Sequence, residues 1–271
     1  MSEHASDGRG GVGLQRERLT HRVWVPPWVW REHQARYQFA GQYVHSKVVV
    51  ECACGDGIGS KVLLSAGAVV VEGFDRSGAA VAEAAARCRS PIARFREADA
   101  CALPLTDRFA DVYVAFETIE HIEDDRAFLN EAARVLKPDG LVICSTPNRI
   151  VTNPGTAIGD RPWNRYHVRE YSREELLRLL SGAFEQVEGY GQRPVSRREV
   201  ERLASVGRRW STRAAVTLRQ VSKWPLLVCD PPTQYAVQPI PVTGDDGLEH
   251  EYLVVVCRRP KQATTASGIA A

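Results

Sequence analysis

Residues 48–60 read VVVECACGDGIGS: an apolar run, an acid, then a turn built on Gly55, Gly57 and Gly59. The run 48–52 shows no polar alternation, as expected of a strand buried on both faces of a parallel sheet. The glycines let the backbone turn sharply and approach a ligand closely. A glycine-rich turn alone is weak evidence, because tight turns need glycine anyway. Two acids downstream strengthen it. Asp75 closes a second apolar run, 69–74, and Asp99 follows a strand-like segment at 93–96.

Outward from that stretch, strand-like and helix-like segments alternate. Helices are expected at 61–65, in the alanine-rich stretch 79–88, and over 119–136, where Ile122, Phe128 or Leu129, Ala132 and Val135 or Leu136 recur on one face. A fourth strand is expected at 112–116. Pro138, Asp139 and Gly140 predict a turn before a fifth strand at 141–145. Ser172 with Glu175 forms a capping box that starts a helix over 172–180, and 184–190 and 252–257 supply two final strands. The alternation predicts an α/β fold: a mostly parallel sheet with helices on both faces. In such sheets ligands bind beyond the carboxyl ends of the strands, where chain order reverses. A carboxylate at Asp75 can there accept both hydroxyls of a ribose, and one at Asp99 can accept from an adenine amino group. Taken alone, Asp75 also reads as a helix N-cap. A dinucleotide-type GxGxxG fails, because Ser60 or Val62 falls where the third glycine is required.

The chain has 271 residues, 44% hydrophobic and 25% charged, with a net charge of +2. That excludes collagen-like, wholly disordered and disulfide-framework classes. The seven cysteines include one CxC, Cys52 and Cys54, without a second pair, so buried thiols are expected rather than zinc or disulfides. No apolar run approaches the roughly 20 residues that span a bilayer, and the amino terminus lacks the apolar stretch of a signal peptide. A cytoplasmic protein without a membrane segment is therefore expected. Residues 1–18 and 261–271 are expected to be disordered, flanking a single domain over 19–260. Within it, 19–46 is expected to form an N-terminal lid and 149–250 the substrate-side additions.

The order VVVECACGDGIGS, EGFDRS, EADACALPL, YVAFETIEHI and LKPDGLVICSTPN, from residue 48 to 148, resembles the class I S-adenosylmethionine-dependent methyltransferases. The resemblance implies a Rossmann-like, seven-stranded, mostly parallel sheet and S-adenosylmethionine as cofactor. It implies a cofactor-binding set of Tyr37, Glu51, Ala53, Gly55, Gly57, Asp75, Arg76, Asp99, Ala100 and Phe116. Within that set Glu51 and Gly55 lie near the methionine end, Asp75 at the ribose and Asp99 at the adenine. The family carries glycine where this chain has Ala53, and a methyl group there narrows the space around the methionine moiety. Residues 36–40, RYQFA, resemble an amino-terminal helix that closes over the cofactor in some members, with Tyr37 as a lid contact.

Methyl transfer from a sulfonium requires the acceptor to be positioned and one proton to be managed. Glu117, Glu120 and His121, after the fourth strand, share a helical face if the helix begins there. One reading gives the two carboxylates to a helix N-terminus, with His121 packed beneath the sheet. Another adds His167, on a segment that can fold back over the pocket. ExxEH followed by such a histidine resembles the metal site of small-RNA 3′-end 2′-O-methyltransferases, which implies Glu117, Glu120, His121 and His167 as ligands of Mg²⁺ or Mn²⁺. A third makes His121 or His167 a metal-free general base, with Glu117 beside it.

The substrate wall is expected to draw on Trp163, Tyr166, Tyr171, Trp210, Trp224, Tyr235 and the tryptophans of 23–30. Residues 193–223 hold nine basic side chains against Glu199 and Glu201, and Ser196 with Glu199 is a further capping box, so a basic helical insertion is expected. No RNA-binding module is legible, so nucleic acid is not the expected partner. The expected reaction is O-methylation of a small hydroxylated metabolite, such as a sugar, nucleoside or secondary metabolite, which the basic insertion allows to be anionic. N-methylation of an amino sugar, 2′-O-methylation of RNA and a cofactor-binding module without transfer are the rivals. A homo-oligomer is also compatible with the sequence.

Overall fold

A computed structural model describes residues 27–209, 235–240 and 247–261. Residues 1–18 and 262–271 of the expected disordered ends, Trp24, Trp210, Trp224 and the basic positions from 210 to 223 lie outside the described residues, whereas Lys261 is described and its N–H donates to Ala183 O at 2.8 Å. In chain order the elements are α1 (Pro27–Gly41), β1 (Val48–Cys52), α2 (Ile58–Ser65), β2 (Val70–Asp75), α3 (Gly78–Arg87), β3 (Ala93–Glu97) and β4 (Ala110–Phe116). A 3₁₀ turn, Ile119–His121, leads to α4 (Asp125–Val135), β5 (Leu136–Pro147), α5 (Arg149–Thr152), α6 (Arg173–Ala183), β6 (Phe184–Ser196), α7 (Arg197–Arg209), β7 (Gln238–Pro239) and β8 (Leu248–Pro260).

The sheet has eight strands in the order β3-β2-β1-β4-β5-β8-β6-β7. The first five pair in parallel; β5–β8, β8–β6 and β6–β7 pair antiparallel. The α/β class agrees with expectation, but the sheet has eight strands rather than seven. The additional one is the two-residue β7, outside β6. The apolar run of β1 is buried on both faces because β1 lies between β2 and β4, with helices above and below. Between β1 and β4 the chain reverses its direction of travel across the sheet, which makes the carboxyl ends of these strands the place for a ligand.

Each face of the sheet has its own core. One packs Val50, Tyr113 and Cys144 against Phe128, Leu129, Leu176 and Leu180 from α4 and α6. The other packs Val49, Val71 and Val114 against Phe39, Ala40 and Leu63 from α1 and α2. At the edge, β3 presents Arg94 and Arg96 to the buried Glu72 of β2, at 2.9 and 3.0 Å, and these charges blunt an otherwise open strand edge.

Two expectations about elements are corrected. No continuous helix runs over 119–136: Asp124 caps α4 through its side chain and Ile122 is extended. The turn at Pro138, Asp139 and Gly140 does not precede β5 but bulges within it. Leu136 pairs with Ala110 and Leu141 with Val112, so four residues stand opposite Asp111. The six described cysteines are free thiols, five of them buried. No helix among the described residues is long and apolar enough to cross a membrane.

Candidate functional site

A cavity of about 1550 Å³ opens over the carboxyl ends of β1, β2 and β4 and runs under α1 to the start of β8. Ala53, Gly55, Asp75, Arg76, Asp99, Ala100, Phe116 and Tyr37 line it. Gly55 has φ +54, and a Cβ built on it meets nothing within 4 Å, so the backbone there faces open space. Asp75 is held by two backbone donors: Gly55 N–H to Oδ2 at 3.1 Å and Ser77 N–H to Oδ1 at 2.8 Å. Asp99 accepts from Cys101 N–H at 2.8 Å, which fixes its carboxylate at the cavity edge.

Glu51 and Gly57 belong beneath the cavity, not in its lining. Gly57, at φ +79, is needed for packing: a Cβ there would come within 3.0 Å of Ala84 in α3. Glu51 is fully buried and accepts from Tyr37 Oη at 2.6 Å and from the Ser60 hydroxyl. Burial raises its carboxyl to about 7, against the pull of those two hydroxyl donors, while Asp56 and Asp75 push the same way as burial. Glu51 therefore ties α1 and α2 to β1 and supports that half of the cavity from below. Tyr37 also packs edge-on against Phe116, ring centroids 4.9 Å apart.

Beyond Phe116 lies the second half. Glu117 sits at φ 50, in the left-handed region, so it is not the first residue of a helix. Its Oε1 accepts from Ser145 Oγ at 2.6 Å. The expected alignment of Glu117 with Glu120 and His121 on one helical face is thus absent. What the fold brings together instead is Glu120, His121 and His167, whose ligand atoms all lie within 4.8 Å of one another. Glu117 lines the same cavity but falls outside that group.

Glu120 is fully buried; Thr146 Oγ1 donates to its Oε2 at 2.9 Å and its Oε1 has no hydrogen-bond partner. Burial, and next the Glu117 carboxylate, hold its carboxyl well above the ordinary range. The segment 164–171 folds back as expected, with Val168 N–H donating to Glu120 O at 2.7 Å. His121 Nδ1 lies 3.1 Å from Tyr166 O, which assigns the proton to Nδ1. His167 meets His121 edge-on, centroids 4.9 Å apart. His167 Nδ1 lies 2.6 Å from Glu170 Oε1, and Asn164 Nδ2 donates to Nε2 at 2.9 Å. Glu170 is itself fixed by Asn153 Nδ2 at 2.6 Å and by the Thr152 hydroxyl. Sequence reading missed Glu170, because nothing marks one glutamate on a charged segment as a partner of a particular histidine.

The far wall was also missed. Glu32 and Arg36 of α1 line it with Glu251 and Tyr252 of β8. Behind them Arg193 pairs with Glu32 and lies 3.3 Å from Glu251. Arg193 is therefore a buried strand residue of β6, not part of an exposed basic insertion. Burial raises the Glu32 carboxyl to about 7, against Arg193 and with Glu251 adding to the rise. Of the aromatic residues, Trp28, Trp30, Trp163, Tyr166 and Tyr252 line the cavity. Tyr171 is instead a core residue hydrogen-bonded to Asp125 at 2.8 Å, and Tyr235 is buried, accepting from Gln192 through its carbonyl.

Residues 50–144 match the family model described as "Methyltransferase domain". A Mycolicibacterium smegmatis protein described as "Probable S-adenosylmethionine-dependent methyltransferase" is 38% identical over 158 residues, 58% of this chain and 59% of that protein. The chain thus spans about three-fifths of the length of the curated relatives it matches. Among solved structures, the [4+2]-cyclase SpnF superposes with a TM-score of 0.55 at 19% identity, over 84% of this chain and 81% of that one. A Thermotoga maritima protein titled "SAM-dependent methyltransferase, possible histamine N-methyltransferase" gives a TM-score of 0.55 at 18% identity, over 86% and 92%. These two likenesses show the fold alone.

Proposed function

We propose that this chain, with its methyltransferase domain at 50–144, is an S-adenosylmethionine-dependent methyltransferase that O-methylates a small hydroxylated metabolite. The observation that carries the reading is one continuous cavity joining Asp75 and Asp99 at one end to Glu117, Glu120, His121 and His167 at the other. The open backbone at Gly55 and the oriented Asp75 carboxylate fit an adenosyl group. Tyr37, Ala53 and Phe116 would hold the methionine end, Asp75 and Arg76 the ribose, and Asp99 and Ala100 the adenine. Bound there, the cofactor supplies a methyl group on a sulfonium and leaves as S-adenosylhomocysteine.

The protein's own contribution is position and proton transfer. The acceptor oxygen forms the new bond to carbon as the carbon–sulfur bond breaks, and its proton passes to His167. Glu170, fixed by Thr152 and Asn153, holds the His167 Nδ1–H and stabilises the imidazolium that results, as a positioning residue. Asn164 vacates Nε2 when the acceptor hydroxyl takes its place. A second reading starts from the buried, unpartnered Glu120 Oε1: Glu120, His121 and His167 would hold a divalent ion, with coordination positions left for acceptor oxygens and with His167 Nε2 then a ligand instead of the base. Such an ion would lower the pKa of a bound hydroxyl.

Calorimetric titration tests the core of this reading. One S-adenosylhomocysteine per chain is expected, and Asp75→Ala should weaken it at least about tenfold by removing a charged acceptor of two hydroxyls. A wild-type chain that gives no heat with either S-adenosylmethionine or its demethylated product would sink the proposal.

A further inference from the structure

Among the described residues six non-glycine side chains sit on a backbone of positive φ, and of these only Ala53 and Glu117 line the cavity. The two stand at the tips of neighbouring strands: Ala53, φ 56, follows β1, and Glu117, φ 50, follows β4. A residue with a Cβ is disfavoured in that region and persists there only where its surroundings hold it. For Glu117 the holder is Ser145 of β5, which is itself buried. Glu117 N–H donates to Ser145 O at 3.0 Å and to Ser145 Oγ at 3.2 Å, and Ser145 Oγ donates to Glu117 Oε1 at 2.6 Å. Contacts to one residue thus fix both the strained backbone and the direction of the carboxylate. Proton transfer to His167 gives this arrangement no task, and Glu117 falls outside the group formed by Glu120, His121 and His167.

Its position supplies a task. Phe116, one residue earlier, packs against Tyr37 at the cofactor half, and Glu120 and His121, three and four residues later, belong to the acceptor half. Glu117 therefore lines the cavity at the junction of the two. A methyl group that passes to an oxygen beside His167 must leave from a sulfur at that junction. The sulfur is a cation before transfer and a neutral thioether after it. The neighbouring carboxylates are otherwise engaged. Asp56 lies 3.4 Å from Arg87, and Asp75 is bound by two backbone donors. Glu120 is no rival, because burial, and next the Glu117 carboxylate, hold its carboxyl well above the ordinary range.

We infer that Glu117, held by Ser145, faces the cofactor's sulfonium and makes the site prefer the charged cofactor to its neutral product. A carboxylate attracts a cation more strongly across a half-buried cavity than across bulk water. It finds no such charge in S-adenosylhomocysteine, because the bonding pair returns to sulfur when the carbon–sulfur bond breaks. Glu117 is thus a specificity-determining residue that favours the loaded cofactor and lets the spent one go. It does not speed the chemical step, since the charge it attracts fades on the way to the transition state.

This inference rests on the methyltransferase reading, so its test begins with the wild-type chain, and a chain that binds neither form of the cofactor counts against that reading itself. Dissociation constants are then measured in EDTA for S-adenosylmethionine, S-adenosylhomocysteine and sinefungin, in which an amine-bearing carbon replaces the methylated sulfur. Glu117→Gln should weaken the two cationic ligands about tenfold and leave S-adenosylhomocysteine within about twofold, the size of one charge-assisted contact. Ser145→Ala, which keeps the carboxylate but releases it, should weaken the same two ligands by about threefold and spare the third. If Glu117→Gln does not fold, Ser145→Ala supplies the comparison. Two results overturn the inference: all three ligands weaken alike, which puts the role of Glu117 in the fold or on a part of the cofactor that all three share, or none of them changes.

Discussion

At the scale of single residues, Ala53 shows how a departure from a pattern acquires a physical meaning. Its φ is 56, in the left-handed region where a Cβ costs of order 1 kcal/mol, so glycine is the residue that this turn favours. The departure from glycine was visible in the sequence; the strain it imposes was not. The sequence placed Asp75 and Asp99 at strand tips, and both line the cavity there. Glu51 was placed one layer too high. It has the same chemistry as Asp75, but its carboxyl turns under the chain toward Tyr37 and Ser60. That burial has a measurable consequence. Its proton leaves near pH 7 in the fold and near 4.5 in an unfolded chain, so between those values the folded state binds more protons. Its contribution is therefore most favourable at and below the lower value and declines as pH rises toward the upper. Melting temperatures of wild type and Glu51→Gln, taken from pH 5 to pH 8, should shift steadily in favour of the variant. A constant offset, or a trend toward wild type, would show that the carboxyl ionises at its ordinary value.

At the scale of elements, legibility followed how local the signal was. The capping box at Ser172 is complete: the Ser172 side chain accepts from Glu175 N–H and the Glu175 side chain accepts from Ser172 N–H. That exchange depends on four consecutive residues, so the sequence contains all of it. Ser172→Ala should cost about 1 kcal/mol of stability, read as a lower urea midpoint at unchanged slope. An unchanged midpoint would mean that α6 is held by packing alone. The helix expected over 119–136 failed for the opposite reason. Its apolar spacing is real, but Asp124 makes a better start, and Glu117 sits where a helix cannot begin. The 3₁₀ turn that results presents Glu120 and His121 to His167 and leaves Glu117 aside. Arg193 was misjudged because a basic residue in a run of basic residues reads as solvated. Only the pairing of β6 with β8 puts Glu251 beside it.

At the scale of the whole molecule, net charge is a poor guide to a cavity. The chain is +2 overall, yet among the described residues five glutamates line the half of the cavity around His167. Composition averages over a surface, whereas a site is set by which few side chains the topology gathers. A metal belongs to this scale, because Glu120 and His121 reach His167 only through the folding back of 164–171. If an ion assists, activity should fall about 10–100-fold in EDTA and return with Mn²⁺ or Mg²⁺. Turnover unaffected by chelator would leave proton transfer to His167 alone.

The strand order has a consequence for how the protein is made. β8 inserts between β5 and β6, two strands that precede it in the chain. The Asp75 and Asp99 end of the cavity is assembled from residues near 50–100, whereas Glu251 and Tyr252 arrive with the last of the described strands. Such long-range closure is slow compared with the local pairing of β1 to β2. A nascent chain would thus gain the Asp75 and Asp99 end of the cavity early and the Glu251 wall last, with the place between β5 and β6 filled only by a late-emerging segment.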